Sequence, residues 1–497
     1  MTQPPALDIT SLLSGMAAHG ERPALSFYRG KTRDGRLSYE ELAARVANLA
    51  GGVHGEYGVR AGDRVAILAP NRLEVPVLVL ALLRLGAVVV PLNPGSAAED
   101  WTYILRHSGA RGLCVTRELD SRVPQAARPA FTLYLDDAFA IPGQPPPAAV
   151  ALAEHMAVVL YTSGTTGNPK GVALRQRNLI ANAWSMARNF HLRETRQLAV
   201  LPLYHAHAFG FGLMTALCTG SHLVFTERLE PFSWAQVIRA ESVEVARDFE
   251  ARTRIPIVQG WGLSEYTNFA CCVSPDESAD EHARMMFSWE VPSIGPALEG
   301  TEVRVVDGSG VAVEEGTRGE LVVRGHSMML GYFGDPENTA RAIDAQGWLH
   351  TGDEGLFRMH RGRPIYFVTG RLKEIIIRDA DKYSPLRLER RLVEALPEIS
   401  GRVVVLGFPH REHGEEVGAY LEMPALDDAL RARLAAAIEA MAVAERPKVV
   451  LHGAVPIPRT HTGKIQRRKM QPWFTKWVAH RGPTVIDELP PERPLSS

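Results

Sequence analysis

Apolar runs of strand length alternate with helical patterns through the first quarter of the chain. The runs at residues 63–70, 87–93 and 113–116 are short and almost continuously apolar, as strands buried on both faces are. The segments between them have helix length, and a connection of that length allows neighbouring strands to run parallel. The alternation predicts an α/β fold in which helices cover a parallel sheet.

Two segments of this region carry sharper signals. Ser38 precedes a helical pattern and Glu41 follows three residues later, which predicts a capping box. Three apolar residues then share one helix face: Leu42, Val46 and Leu49. The most apolar stretch, residues 75–92, is interrupted by Arg84, so it predicts a buried helix and strand rather than a membrane span.

Length and composition restrict the class of protein. A chain of 497 residues, 45% hydrophobic and 22% charged, predicts a folded protein of more than one domain. Its net charge of -1 gives no reason to expect a nucleic-acid partner. Four cysteines without a CxxC pair indicate neither a disulfide framework nor a zinc site. With no visible signal peptide, we expect a cytoplasmic protein without a transmembrane segment.

The residue pattern changes along the chain and divides it into regions. Residues 293–370 contain alternating apolar runs joined by Gly and Asp turns, which predicts a small β-rich subdomain. We place it at the end of a large N-terminal α/β domain, residues 1–371. Strand and helix patterns then predict a small, mobile α+β domain over residues 372–481. The Pro-rich end, residues 482–497, is predicted to be a flexible tail.

One loop concentrates groups that bind anions. Residues 161–172 read YTSGTTGNPKGV and follow an apolar strand. Glycines allow backbone N–H groups to approach a phosphate, and hydroxyls and a lysine add donors and charge. The chain has eight lysines against forty-seven arginines, so Lys170 is an unusual choice. A polar surface turn is the alternative, but such a turn does not need this many donors.

This loop resembles the phosphate-binding signature of the adenylate-forming superfamily, which includes acyl-CoA synthetases, coumarate ligases and luciferases. Further motifs resemble the family in the expected order: LPLYHAHAFG, GWGLSE, GYFGDPENT, GWLHTGDEG, GRLKE and PRTHTGKIQRRK. The resemblance covers residues 37–469. It implies attack of a carboxylate on Mg·ATP to give acyl-AMP and pyrophosphate, followed by domain rotation and transfer of the acyl group to a thiol.

The resemblance also implies roles for individual residues. The triphosphate would be bound by Thr162, Ser163, Gly164, Thr165, Thr166, Gly167 and Lys170. Glu265, next to Ser264 in its motif, and Thr166 would hold Mg²⁺, a cation that prefers oxygen ligands. The nucleoside would be bound by Trp261 on adenine, by Asp353 on the ribose hydroxyls and by Arg371.

Three residues have roles that depend on domain movement or on the acid. Lys464 would reach the α-phosphate from the C-terminal domain as a catalytic residue, and Lys373 falls at the hinge of the family. His205 is either a gate to the acyl pocket or a satisfied core histidine. The thiol would come from CoA, or from the phosphopantetheine of an acyl carrier protein as a possible partner.

Two departures from the family pattern bear on activity. The interval between Lys170 and Glu265 is several dozen residues shorter than in the family, and the break falls after Val245. Asp379 and Ala380 stand where the family has a Gly-Gly pair. Three functions therefore stay open: an acyl-CoA synthetase, a ligase that loads a carrier protein, and a degenerate nucleotide- or acyl-binding protein.

Overall fold

The computed structural model describes residues 8–29, 32–147, 152–162, 168–199, 201–227, 250, 257–289, 291–379, 381–459 and 465–489. The helices in this part of the chain are α1 (Ile9–Met16), α2 (Tyr39–Tyr57), α3 (Glu74–Arg84), α4 (Ala98–Ser108), α5 (Arg117–Asp120), α6 (Gln176–Asn189), α7 (Thr215–Thr219), α8 (Ala279–Phe287), α9 (Pro336–Ala342), α10 (Pro385–Ala395) and α11 (Asp428–Glu439).

The strands of the N-terminal half are β1 (Pro23–Arg29), β2 (Thr32–Ser38), β3 (Arg64–Leu68), β4 (Val88–Leu92), β5 (Gly112–Val115), β6 (Phe131–Tyr134), β7 (Met156–Thr162), β8 (Lys170–Arg175), β9 (Arg196–Ala199) and β10 (His222–Thr226). Those that follow are β11 (Gly260–Gly262), β12 (Phe269–Cys272), β13 (Thr301–Val306), β14 (Gly319–Gly325), β15 (Gly331–Tyr332), β16 (Leu349–His360), β17 (Arg363–Arg371), β18 (Ile376–Arg378), β19 (Asp381–Tyr383), β20 (Val403–His410), β21 (Gly414–Leu421), β22 (Val449–His452) and β23 (Val485–Glu488).

A seven-stranded sheet forms the centre of the N-terminal region, with strand order β15-β8-β7-β4-β3-β5-β6. The strands from β7 to β6 in this order run parallel, whereas β8 and β15 are antiparallel to their neighbours. The predicted α/β fold is therefore confirmed. The apolar stretch at residues 75–92 forms α3 and β4, as predicted.

The predicted capping box also forms. Ser38 Oγ accepts a hydrogen bond from Glu41 N at 3.1 Å, and Glu41 Oε2 accepts one from Ser38 N at 2.7 Å. The helix that follows, α2, packs with α3 into a core cluster shared with two sheets. The second of these sheets has the order β2-β1-β10-β9.

Two further sheets complete the described chain. The predicted β-rich segment contains a four-stranded antiparallel sheet, β13-β14-β16-β17. The C-terminal sheet has the order β19-β18-β21-β22-β23, with β20 beside β21, and α10 and α11 contribute to its core. The exact domain boundaries stay a prediction.

The flexible tail predicted for residues 482–497 is wrong for its first half. Residues Val485 to Glu488 form β23, which pairs in parallel with β22, and Leu489 is buried with Trp473 and Phe474. The segment TVIDEL is apolar enough to extend a sheet, and the prolines that follow it do not interrupt the strand. Residues 490–497 lie outside the described residues.

Candidate active site

The phosphate loop joins two neighbouring antiparallel strands at an end of the central sheet. At the ends of β7 and β8, Tyr161 pairs with Gly171 and Thr162 pairs with Lys170. A side chain at Gly171 would lie 2.7 Å from Val159 Cγ1, so the close strand contact requires glycine. The predicted phosphate ligands Ser163, Gly164, Thr165, Thr166 and Gly167 lie outside the described residues.

Lys170 is held by residues from a motif that is distant in sequence. Its Nζ donates to Asn338 Oδ1 at 2.9 Å and lies 4.8 Å from the centroid of the Tyr332 ring. Asn338 in turn donates from N and Nδ2 to the carboxylate of Asp335, the N-cap of α9. The GYFGDPENT segment thus forms one side of the space around the Lys170 ammonium.

Glu265 is connected to the same segment. The Tyr332 hydroxyl donates to Glu265 Oε1 at 3.0 Å, and Met329 N donates to the Glu265 backbone carbonyl at 2.8 Å. Burial, together with the Glu265 charge, raises the pKa of Tyr332, so the phenol keeps its proton and remains a donor. Glu265 follows Ser264 in a short 3-10 helix, Ser264–Tyr266.

These contacts fit a Mg²⁺-nucleotide. Glu265 presents a half-buried carboxylate, and carboxylate oxygens are ligands that Mg²⁺ prefers. The Lys170 ammonium contacts the ring of Tyr332, whereas Glu265 accepts a hydrogen bond from its hydroxyl. A cation, an anion and their shared tyrosine therefore lie beside the strands that flank the phosphate loop.

The residues predicted to bind the nucleoside also come together. Trp261 Nε1 donates to Asp353 Oδ2 at 2.8 Å, and Arg371 Nε lies 2.6 Å from Asp353 Oδ1. The pair Asp353 and Arg371 is in register between β16 and β17. Trp261 is buried. The structure thus joins three predicted nucleoside ligands, and their roles toward adenine and ribose stay predictions.

The histidines of the LPLYHAHAFG segment lie in different surroundings. His205 is half-buried with its ring centroid 4.6 Å from that of Tyr204. His207 packs edge-on against Phe211 and Phe269, at centroid distances of 5.5 and 5.1 Å. Burial lowers the pKa of His207 to about 4, so this imidazole is neutral at pH 7.

A π-helix begins directly after His207 and covers Ala208–Met214. π-Helical turns are rare and frequently occur at functional sites. Asn268, which precedes Phe269, is also buried, and its Nδ2 has no hydrogen-bond partner within the described part of the chain. Aromatic rings, a neutral imidazole and an amide therefore lie together beside the segment predicted to form the acyl pocket.

The predicted hinge is a tight turn between β17 and β18. Lys373 is exposed in this turn, and the neighbouring Glu374 pairs with Arg467 from the C-terminal region at 2.8 Å. Asp379, one of the two residues replacing glycine, has a φ of +52°, a conformation that glycine adopts at lower cost. Its carboxylate Oδ1 lies 2.8 Å from His413 Nδ1.

Lys464 lies outside the described residues, but both ends of its loop are described. Arg459 and Ile465 form an isolated antiparallel bridge, and Gln466 N donates to the Pro458 carbonyl at 2.8 Å. The two ends of the loop that carries Lys464 are therefore hydrogen-bonded to each other. The shortened interval after Val245 also lies outside the described residues.

Sequence reasoning missed three residues of this site. Tyr332 and Asn338 lie in the GYFGDPENT motif. A tyrosine and an asparagine in such a turn do not by themselves indicate a contact with Lys170 or Glu265. His107 lies in the last turn of α4, and its contact with Tyr161 could not be predicted from sequence spacing. It lines a cleft together with Lys170.

The AMP-binding enzyme family model matches this chain in two segments, residues 14–246 and 239–333. Together the segments span more than half of the chain. The two segments overlap at residues 239–246. The break in the interval between Lys170 and Glu265 is predicted at the same place.

Several curated proteins are similar to this chain. The 4-coumarate–CoA ligase-like 6 of Oryza sativa subsp. japonica is 31% identical, with 87% of this chain and 81% of that protein covered. A feruloyl-CoA synthase of Amycolatopsis sp is 30% identical over 78% of this chain and 84% of its own. The sulfoacetate–CoA ligase of Cupriavidus necator is 28% identical, with coverages of 94% and 98%.

The last of these alignments is longer than this chain. It runs over 522 positions, whereas this chain has 497 residues. The Cupriavidus protein therefore has residues without a counterpart in this chain.

Solved structures share the fold. The ATP-bound MatB of Rhodopseudomonas palustris superposes with a TM-score of 0.81 at 23% identity, covering 95% of this chain and all of that one. The MenE of Bacillus subtilis with ATP and magnesium gives a TM-score of 0.78, also at 23% identity, with coverages of 92% and 98%. Within the described residues, no helix has the length and apolar character needed to cross a membrane.

Proposed function

Because this chain belongs to the AMP-binding enzyme family and is an AMP-forming acid–thiol ligase of acyl-CoA synthetase type, we propose that it activates an aromatic carboxylic acid and transfers the acyl group to CoA. The adenylation step is supported by the contacts joining Lys170, Tyr332 and Glu265 beside the strands of the phosphate loop. The observation that carries the aromatic substrate class is the packing of Phe211 and Phe269 around His207.

Lys170 and Glu265 carry opposite charges and would bind opposite charges of the Mg-nucleotide. Lys170 would bind the phosphates that leave as pyrophosphate, because a compact ammonium forms strong hydrogen bonds to phosphate oxygens. Glu265 would hold Mg²⁺, which would neutralise charge on the phosphates when bound. Tyr332 positions both groups, through its ring on one side and its hydroxyl on the other.

Adenylation would be completed by the C-terminal domain. Lys464 is proposed to contact the α-phosphate, where negative charge increases as the carboxylate attacks. Asp353, supported by Arg371 and Trp261, would hold the ribose. Rotation about the turn that contains Lys373 would then remove Lys464 from the site and admit the thiol.

The surroundings of His207 support an aromatic acid. Phe211 and Phe269 offer ring edges and faces, which pack well against another aromatic group. The neutral His207 and the unpaired Asn268 Nδ2 could bind an uncharged polar substituent. Relatives named feruloyl-CoA synthase and 4-coumarate–CoA ligase-like support the same substrate class.

The test is pyrophosphate release from ATP and Mg²⁺ in the presence of single acids: benzoate, hydroxybenzoates, hydroxycinnamates, malonate, sulfoacetate and octanoate. We expect release with the aromatic acids, and thioester formation when CoA is added. Holo acyl carrier protein replaces CoA in a parallel assay. Lys170→Ala serves as the control for contaminating activity.

Each result decides one part of the proposal. Release with malonate or octanoate alone would contradict the aromatic substrate class. Thioester formation with the carrier protein but not with CoA would contradict the acceptor. Absence of release with every acid, in a folded chain that binds ATP, would favour the degenerate protein.

A further inference from the structure

A cleft of about 260 Å³ lies beside Lys170. The residues that line it come from α4, from β8 and from the GYFGDPENT segment that contacts Lys170: Tyr103, His107, Lys170, Tyr332, Asp335 and Asn338. A wider cleft of about 600 Å³ continues along α4 and is lined by Arg106, Tyr103 and His107, among others. Tyr103 and His107 line both clefts and so stand between Lys170 and the wider opening.

The His107 ring is fixed on several sides. Its Nδ1 lies 2.7 Å from the Tyr161 hydroxyl, its ring stacks on Tyr103 at a centroid distance of 5.3 Å, and the edge contact to Phe333 measures 6.1 Å. Tyr161 lies in β7, two residues before Ser163 of the phosphate loop. Its contact therefore ties His107 to the strand that leads into that loop.

The Tyr161 contact fixes the orientation of the His107 ring. Burial raises the pKa of the Tyr161 phenol, so the hydroxyl remains protonated and can either donate a hydrogen bond to Nδ1 or accept one from it. Nδ1 is engaged by Tyr161 in either case, so Nε2 is the nitrogen through which the ring would bind an anion.

The charges around His107 come from several elements. Lys170 lies on β8, Arg106 and Glu99 on α4, and Asp335 at the start of α9. Hydrogen bonds from Asn338 lower the pKa of Asp335, and the nearby charge of Lys170 lowers it further, so Asp335 is an anion. Its carboxylate accepts two hydrogen bonds from Asn338 and would repel a phosphate, so an anion in the smaller cleft would bind toward Lys170 and His107 and away from Asp335.

We propose that His107 binds the pyrophosphate that leaves the reaction, holding it at the outer end of the phosphate site before it departs past Arg106. The inference rests on the proposed function, because adenylation is the step that produces pyrophosphate. A polyanion with several phosphate oxygens can contact Lys170 and His107 together, which a single phosphate group does less well.

The test measures binding without turnover. Inorganic pyrophosphate with Mg²⁺ is titrated calorimetrically into the full chain, for the wild type and for His107→Gln. We expect the substitution to weaken binding about tenfold, which corresponds to the loss of one hydrogen bond to a charged ligand.

Two controls separate a binding role from a structural one. His191→Gln removes an exposed histidine that pairs with Asp276 outside both clefts, and its affinity for pyrophosphate should equal that of the wild type. His107→Asn repeats the test with a shorter side chain, in case His107→Gln does not fold.

Three outcomes would overturn the inference. One is an unchanged affinity in both His107 variants, another is a loss of the same size in His191→Gln, and the third is a wild type that does not bind pyrophosphate. If the wild type binds pyrophosphate as described but activates no acid, the proposed function fails and the binding assignment stands. If acids are activated and the His107 variants bind pyrophosphate normally, only the inference fails.

Discussion

At the scale of single residues, the site is organised by Tyr332, which contacts both a cation and an anion. Its ring lies under Lys170 and its hydroxyl binds Glu265. A phenylalanine would keep the first contact and lose the second, whereas a leucine would lose both. This difference allows the two contacts to be tested separately.

Tyr332→Phe should raise the Mg²⁺ concentration needed for half-maximal adenylation several-fold, because Glu265 loses the hydroxyl that orients it. Hydrogen bonds to charged groups contribute about 1.5–3 kcal/mol. ATP affinity without metal should change little. Tyr332→Leu should weaken both, since the Lys170 ammonium also loses the ring. Equal Mg²⁺ dependence in the wild type and Tyr332→Phe would show that the hydroxyl does not position Glu265.

Lys170→Ala should weaken ATP binding about 10- to 100-fold, which corresponds to the loss of one charge-assisted hydrogen bond. Binding of the acid should not change. Lys476→Ala is the matched control, because Lys476 is a surface lysine paired with Asp487 at 2.7 Å. The measurement is the ATP-dependent rise in melting temperature of each variant. A stabilisation of wild-type size in Lys170→Ala would remove the evidence for a phosphate site here.

His207 should make the folded chain sensitive to acid. The pKa of His207 is about 4 in the folded chain, against 6.5 for the ordinary group, so the unfolded chain binds more protons between these values. The free energy of unfolding should therefore fall as pH is lowered from about 6.5 to about 4, by at most about 3 kcal/mol from this group. His207→Asn should show a shallower fall in urea unfolding over this range. Parallel pH profiles would contradict the burial of a neutral imidazole.

At the scale of elements, the sequence predicted what depends on neighbouring residues. The Ser38–Glu41 cap could be predicted because both partners lie within one helical turn. The strand β23 was missed because its partner, β22, is more than thirty residues away and the prolines after it indicated a tail. Tyr332 was missed for the same reason, since Glu265 is 67 residues away in sequence.

Arg467 joins the elements of the C-terminal region to the hinge. It binds Glu389 of α10 through Nη2 at 2.8 Å, and Glu374 of the hinge turn through Nη1 at the same distance. Glu389 is buried, so Arg467→Met should lower the free energy of unfolding by about 3–5 kcal/mol. The double variant Arg467→Met, Glu389→Met should recover much of this loss. A loss in the double variant as large as in the single one would show that packing, not the unpaired carboxylate, causes it.

At the scale of the whole molecule, the family pattern predicted the fold, while the shortened interval after Val245 stays a prediction. The family model matches in two segments that overlap at residues 239–246. In the described part of the chain, β9 is the outer strand of its sheet, and its Leu198 is 58% exposed. Outer strands are usually protected, so we expect the segment that the predicted short interval lacks to have covered this strand.

Restoring the interval should therefore improve both stability and nucleotide binding. We expect this chain to bind ATP one to two decades more weakly than a variant with a family-like strand, helix and small-residue loop inserted after Val245. The inserted loop would add a second wall to the adenine site beside Trp261, and base stacking contributes about 1–3 kcal/mol. The variant should also discriminate better against GTP, because the added wall would contact the base. Titration of both proteins with ATP and GTP, with pyrophosphate release measured in parallel, tests this. Tight ATP binding, rejection of GTP and equally fast release by the chain without the insertion would show that the shortened interval is sufficient for function.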